Sequence, residues 1–426
     1  MSEAKEILHT LRERGFVQQV SVESSLIALL ASGPVTFYAG FDPTASSLHV
    51  GSMIPLMAMA HFARAGHRPV AVLGGGTAMV GDPSGKTELR QMLTVEAIKE
   101  NRRAIEPQVR RFLTDAKENA IVIDNAEWLA SLNYLDFLRD IGRHFSVNRM
   151  LAAEAYRQRL EKGLSFIEFN YQILQAYDYL VLYRKFGCAL QVGGDDQWGN
   201  ILAGTDLIRR LHQAETYALT FPLITTAAGA KMGKTAAGAV WLSAERTSPF
   251  DFYQYFVNVD DRDVIRFLKL LTFVPMDEVL RLSGLQGAEL RTAKQTLAFE
   301  TTAIVHGKEA AIMAQSAARS AFGVHPLVAD GLVATPSVGM PAMSNVPTLS
   351  VDHATLTAGA KIVDLLHTSG LAVSKSAARR LIEQGGVRLG DRKVSSIEDV
   401  IRAEEIAANG TLLHAGKKHL RRIVLG

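Results

Sequence analysis

VTFYAGFDPTASSLHVGS, residues 35 to 52, changes character twice within one short stretch. VTFYAGF reads as a strand, rich in β-branched and aromatic residues. DPTASS supplies the proline and small polar residues of a turn, and a helix is expected to begin near His49. The same grammar repeats on either side. RPVAVLGG (68–75) and AIVIDN (120–125) are apolar runs with little alternation, as strands buried on both faces require. ALQVGG (189–194) is a fourth, followed by a helix at GNILAGTDLIRRL. Helices are expected at about 3–14, 22–31, 95–113, 133–141, 146–160 and 165–185. Strands alternating with helices predict an α/β fold, a doubly wound parallel sheet of Rossmann-like kind, with ligands beyond the carboxyl ends of its strands.

A chain of 426 residues is too long for one ordinary domain. Residues 1–240 carry the strand–helix alternation, with a helical insertion at about 130–165. Residues 241–325 read as a helical domain. The segment 326–359 holds four of the 13 prolines and only two charged residues, Asp330 and Asp352, which marks it as a connector. A small compact domain is expected over 360–426. With 48 % hydrophobic residues the core can be large, and the single cysteine, Cys188, excludes a disulfide framework or a Cys-based zinc site. No signal-like or membrane-spanning apolar run occurs, so a cytoplasmic protein without membrane association is expected. The net charge of +3 becomes informative when divided. Residues 360–426 hold twelve Lys/Arg against seven Asp/Glu, a local +5 on a near-neutral body, which points to a polyanionic partner at that end.

Two phosphate-binding patterns fail on spacing. GDPSGK, from Gly81, is one residue short of a P-loop, and Gly74 and Gly76 are followed by Met79 where a dinucleotide fingerprint needs glycine. The glycines of 74–76 allow close approach of backbone to a ligand. Another arrangement survives: Asp42, Thr44 and His49 lie between a strand end and a helix start, with Gly51 leaving the helix face bare. An anion there meets free N–H groups and the positive end of the helix. Taken alone, a histidine beside a turn is more often a surface or packing residue. KMGKT (231–235) puts Lys231 and Lys234 in a glycine- and threonine-rich stretch whose poverty in packing residues predicts mobility. FNYQILQAYDYL (169–180) aligns Tyr171, Gln175 and Asp178 at i, i+4 and i+7, a hydroxyl, an amide and a carboxylate on one face of a largely apolar helix. A hydrogen-bonded core network would also explain that stripe.

YAGFDPTASSLHVGS, VGDPSGKTELR, FNYQILQAYDYL, QVGGDDQWGN and KMGKTAAGAVWL occur in an order and spacing that resemble the bacterial tyrosyl-tRNA synthetases, of the class I aminoacyl-tRNA synthetase family. The likeness runs along nearly the whole chain. It implies that tyrosine attacks the α-phosphate of ATP to give tyrosyl-adenylate and pyrophosphate, and that the 3′-terminal ribose of tRNA(Tyr) then takes the tyrosyl group. Mg2+ would accompany ATP, with no structural metal held by the protein. By the resemblance, Asp82, Tyr171 and Gln175 surround the substrate ammonium, Tyr38 and Asp178 meet the phenolic hydroxyl, and Gln197 lies near the substrate carboxylate. Thr44 and His49 stabilise the phosphates, with Lys86, Arg90, Lys231 and Lys234 at the pyrophosphate. Ala39, Gly40, Asp42, Gly51, Ser52, Gly194, Asp196 and Met232 fall in the ATP-binding segments.

Three positions depart from the family pattern. Ser52 stands for the second histidine of the HIGH-type signature, Ala39 for a cysteine found in some relatives, and Asp195 for a serine, bringing a second carboxylate beside Asp196. For RNA, SKSAARRLIEQGG gives a helix with Lys375 and Arg379 on one face, Arg380 beside them, and the segment resembles a small ribosomal RNA-binding domain. HAGKKHLRR adds Lys417, Lys418, Arg421 and Arg422, while Arg149 and Arg157 lie where the family inserts helices that receive the acceptor arm and build a homodimer. Tryptophanyl-tRNA synthetase, and a non-catalytic RNA-binding protein descended from a synthetase, are the competing readings.

Overall fold

A computed structural model of the chain describes residues 6–84, 92–152, 156–157, 160, 163–227, 229, 232–235, 238–322, 346–416 and 419–426. The chain divides into two compact units, Met1–Met232 with Arg266–Met276, and Gly233–Ile265 with Asp277–Gly426.

The first unit is built on a six-stranded sheet: β1 Gln19–Val20, β2 Thr36–Phe41, β3 Arg68–Leu73, β4 Ile121–Asp124, β5 Leu190–Gly194 and β6 Tyr217–Phe221. Their spatial order is β1-β6-β5-β2-β3-β4. Every pair from β6 to β4 is parallel, and β1 closes one edge antiparallel to β6. The four expected strands are present. β1 and β6 were not anticipated, although YALTF is buried along its whole length as a fully covered strand should be. From β2 the chain moves outward to β3 and β4, then returns to β2's other side as β5. The switch point therefore lies between β2 and β5, where Tyr38 pairs with Gln191, and a cleft at their carboxyl ends is the expected ligand site.

After β2 the turn leads through a 3-10 turn, Val50–Ser52, into the Met53–Arg64 helix. That helix is buried on nearly all sides, as its MIPLMAMAHFA composition requires. Gly74, Gly75 and Gly76 follow β3. A Cβ at these positions would run into Asp42 and Thr77, into Asp124, and into Leu129, respectively. The glycines thus admit neighbouring side chains of the protein itself. The helix expected at 165–185 is two: Phe166–Phe169, opened by a capping box of Ser165 and Glu168, and Tyr171–Phe186, closed by Gly187 in the left-handed region.

Residues 266–276, expected in the helical domain, belong to the first unit. Arg14, only 6 % exposed, shows why. Its guanidinium donates to the carbonyls of Lys269 (3.1 Å), Thr272 (3.0 Å) and Val274 (2.7 Å).

In the second unit the Pro249–Val257 helix is capped by Ser248, which accepts from the Asp251 N–H, and is accompanied by Leu290–His306 and Lys308–Phe322. The C-terminal part is a five-stranded sheet in the order Arg392–Lys393, Val387–Leu389, Thr411–Ala415, His419–Leu425, Thr348–Val351. Thr348–Val351 runs parallel to His419–Leu425. Residues 348–358, placed in the connector by composition, therefore form a strand and a short helix of this module. Residues 326–345 lie outside the described residues.

Replacing Arg14 with Ala leaves three carbonyls without their shared donor, a loss of roughly 3 kcal/mol. Thermal denaturation should show the melting temperature falling by roughly 5–10 °C, with Arg14→Lys intermediate.

Candidate active site

Tyr38 rises from the middle of β2 and is 2 % exposed. Its ring packs edge-on against Tyr179, centroids 5.2 Å apart, and its hydroxyl is buried with no hydrogen-bond partner among the described residues. Such a group costs free energy unless a ligand completes it. Asp178, on the Tyr171–Phe186 helix, is 4 % exposed and electrostatically coupled to Tyr38. Its Oδ1 accepts from Trp128 Nε1 (2.7 Å) and its Oδ2 from Asn125 Nδ2 (2.9 Å). Each oxygen retains a lone pair. Burial pushes the Asp178 carboxyl up to about 7 from an ordinary 3.8, against the opposing pull of those two donors, with Asp42 and Asp124 adding to the rise. Burial, reinforced by Asp178, likewise raises the Tyr38 phenol well above its ordinary value.

From Asp178 a buried hydrogen-bonded chain runs along the cleft floor. Asn125 Nδ2 also donates to Thr77 Oγ1 (3.1 Å), while Asn125 Oδ1 accepts from the Gly76 N–H (2.8 Å). The Thr77 hydroxyl donates to Asp42 Oδ1 (2.8 Å), and Asp42 Oδ2 accepts from Tyr171 Oη (3.0 Å). With its proton committed to Asp42, Tyr171 turns a lone pair to any donor that approaches.

A second network stands beside it. Asp82 accepts from the Ser84 N–H and from Gln197 Nε2, both at 2.8 Å. Asn200, 4 % exposed, donates through Nδ2 to Gln175 Oε1 (3.1 Å) and Gln197 Oε1 (3.2 Å). Asp82 also adds to the rise of the Tyr171 phenol, after burial and Asp42. Asp82 and Gln197 are therefore brought beside Tyr171 and Gln175, which share one helix.

At the mouth of the cleft, His49 Nδ1 accepts from the Gly51 N–H (3.0 Å). In the neutral ring this places the proton on Nε2, a donor suited to an anion. A Cβ at Gly51 would sit 2.7 Å from the histidine ring and 3.7 Å from the Met232 carbonyl. A side chain there would displace the His49 ring, and Met232 of KMGKT lies against the same turn. His49, Thr44 and Gly40 are exposed, Ala39 is buried, and Ser52 is half-buried. Gly194 caps the Asp195–Gln197 turn, and Asp196 folds back against it.

Asp195 departs from the expectation of like charge crowding Asp196. Its Oδ1 accepts from Gln19 Nε2 (2.6 Å) and Thr220 Oγ1 (3.0 Å), tying it to the β1–β6 edge. Lys86, Arg90, Lys231, Lys417 and Lys418 lie outside the described residues. Lys234 lies in the Lys234–Thr235 strand of the second unit. Among the residues expected to face RNA, Arg149, Arg157, Arg379 and Arg380 are exposed. Lys375, also exposed, pairs with Asp364 at 2.7 Å. Arg421 is a correction: it donates to Asp251 and to the Ser369 carbonyl and is largely covered.

Sequence reasoning missed Asn125, Trp128, Thr77 and Asn200, together with Gln191, whose buried Oε1 also lacks a partner among the described residues beside Tyr38. An amide ending a buried strand, as in AIVIDN, was the available signal.

Comparisons with known proteins place these residues in context. The family model described as tRNA synthetases class I (W and Y) matches residues 30–323. One described as the tyrosine--tRNA ligase SYY-like C-terminal domain matches residues 340–423. The chain is 52 % identical to the tyrosine--tRNA ligase of Desulfosudis oleivorans, over 98 % of this chain and 99 % of that one. It is 48 % identical to that of Caldanaerobacter subterraneus subsp. tengcongensis, over 98 % and 99 %. Among solved structures, a C-terminally truncated mitochondrial tyrosyl-tRNA synthetase of Aspergillus nidulans superposes with a TM-score of 0.67 at 30 % identity, covering 75 % of this chain and 97 % of that one.

Because the folded carboxyl of Asp178 keeps its proton to higher pH than the unfolded chain does, its contribution to stability declines as pH rises from 3.8 toward about 7 and is level above. Trp128→Phe removes a donor that favours the ionised form. Carbon-13 NMR of labelled aspartate should show the Asp178 titration moving to still higher pH.

Proposed function

The chain belongs to the tyrosine--tRNA ligases, the tyrosine branch of the class I tRNA synthetases, and on that premise we propose how its own residues divide the work. It is an ATP-dependent aminoacyl-tRNA ligase. In the proposed scheme the tyrosine carboxylate attacks the α-phosphate of ATP, the bond to the β-phosphate breaks and pyrophosphate leaves. A hydroxyl of the 3′-terminal ribose of tRNA(Tyr) then attacks the adenylate carbonyl and AMP departs.

The substrate phenol donates to a free lone pair of Asp178 and accepts from Tyr38 Oη. The observation that carries this is the buried, unpartnered Tyr38 hydroxyl beside a carboxylate held by two N–H donors. Phenylalanine would leave both groups desolvated and unpaired, which disfavours it. The ring lies over Leu73, itself 1 % exposed. Asp82, the Gln175 carbonyl and the lone pair of Tyr171 accept from the ammonium, and Gln197 lies near the carboxylate.

Adenylate formation makes no covalent enzyme intermediate, so the protein contributes position and charge stabilisation. His49 Nε2–H and Thr44 stabilise the phosphates as the α-phosphate becomes five-coordinate, and Lys86, Arg90, Lys231 and Lys234 meet the departing pyrophosphate. Ala39, Gly40, Asp42, Gly51, Ser52, Gly194, Asp196 and Met232 border the nucleotide, with Asp196 at the ribose. Mg2+ travels with ATP on its phosphate oxygens.

For tRNA, Arg149 and Arg157 serve the acceptor end. Lys375, Arg379 and Arg380, with Lys417 and Lys418, lie along phosphates, fixing position without reading bases. A homodimer is supported by the exposed apolar side chains of Tyr134, Leu135, Leu138, Val147, Phe166 and Ile167, which a second copy would cover. The cytoplasm is the proposed place of action.

Pyrophosphate exchange into ATP, run with each of the twenty amino acids, should proceed with tyrosine alone. Exchange with tryptophan alone, or with none, overturns the reading. His49→Ala should slow adenylate formation by roughly 10²–10³-fold while changing tyrosine affinity by about twofold or less, because its bond is made in the transition state.

A further inference from the structure

Thr44 and His49 are carried by a short polar segment, and the structure shows what holds it. The Val95–Phe112 helix, capped by Thr94, is anchored in the core through Ile98, Ile105, Val109 and Phe112. Asn101 and Gln108, seven residues apart and so on one face of that helix, are both half-buried. Asn101 Nδ2 donates to the Pro43 carbonyl (3.1 Å), at the start of the segment. Gln108 Oε1 accepts from the Leu48 N–H (3.0 Å), at its end, immediately before His49, with the Ser47 hydroxyl 3.2 Å away sharing its proton with the closer Leu48 carbonyl (2.8 Å). Gln108 Nε2 donates back to the Ala104 carbonyl of its own helix (3.2 Å), which fixes which way the amide faces. The Ser47 and Leu48 side chains are buried here, at 4 % and 8 % exposure, while Thr44 and His49 face outward. One helix thus grips both ends of the segment, next to the two residues assigned to the phosphates, Thr44 and His49.

We infer that Gln108, assisted by Asn101, is a positioning residue for adenylate formation, setting Thr44 and His49 against the phosphates without touching substrate. The inference rests on the assignment of those two residues to the phosphates. A misplacement of about 1 Å in a catalytic group can cost roughly 10²-fold in rate. Loss of one of two anchors should cost less than that.

The test uses the full chain, with pyrophosphate exchange at saturating tyrosine and tyrosine binding by calorimetry. Gln108→Ala should lower the turnover of exchange roughly tenfold with tyrosine affinity changed about twofold or less. Gln108→Glu should restore part of the rate lost in Gln108→Ala, because a carboxylate still accepts from the Leu48 N–H although its second oxygen faces the Ala104 carbonyl to which the amide donated. Asn101→Ala should give a smaller loss of the same kind. In a His49→Ala background, Gln108→Ala should cost clearly less than in the unmodified protein, since of the two groups it positions only Thr44 remains. Equal losses in affinity and rate, failure of Gln108→Glu to rescue, or a full additional loss in the His49→Ala background would each overturn the inference. Exchange with tyrosine that survives His49→Ala undiminished would instead strike at the phosphate assignment, and the inference would fall with it.

Discussion

A single carboxylate buried at the switch point of the sheet governs the site. Asp178 lies almost out of reach of water, and burial alone would keep it protonated at neutral pH. The indole N–H of Trp128 and the amide of Asn125 resist that tendency, each using one oxygen. Neither comes from the helix that carries the acid. Both follow β4, so its position against the Tyr171–Phe186 helix decides whether the carboxylate can exist as an anion beside Tyr38. Sheet order and substrate chemistry are linked through those two donors.

The same amide carries the constraint onward. Asn125 holds Asp178 with one hand and Thr77 with the other, Thr77 holds Asp42, and Asp42 orients Tyr171. The end of the cleft assigned to the phenol and the end assigned to the ammonium and nucleotide therefore share one buried chain of hydrogen bonds. Buried networks of this kind are strong only when every member is satisfied. Outside that chain, the Tyr38 hydroxyl and the Gln191 carbonyl oxygen stand out as buried polar atoms with no partner among the described residues.

Much of this was legible in the sequence, for a physical reason in each case. Strands covered on both faces announce themselves as apolar runs, so β2, β3, β4 and β5 could be read directly. β1 has only two residues, too few to reveal a period, whereas β6 is a five-residue apolar run, YALTF, that offered the same signal as β5. The Tyr171–Gln175–Asp178 stripe was visible because helical spacing is regular, and the candidate anion segment because a strand end, a turn and a helix start adjoin in sequence. Asn125, Trp128, Thr77, Asn200 and Gln108 escaped notice because their roles are set by partners remote in the chain. Thr348–Val351 was taken for connector because four proline-poor residues next to a proline-rich stretch carry no pattern until His419–Leu425 supplies the other half of the ladder. Arg421 looked like one more phosphate ligand in a basic run, but its neighbour in space is Asp251.

The three glycines after β3 carry a consequence for how such a protein can change over generations. Each leaves room that a different neighbour already fills: Asp42 with Thr77, Asp124, and Leu129. A single nucleotide change that adds even a methyl group there must displace a side chain from the cleft floor. That corner of the chain can drift only by paired replacements, so a lineage exploring new amino acids would find its freedom in the walls of the pocket and almost none in its hinge-like base.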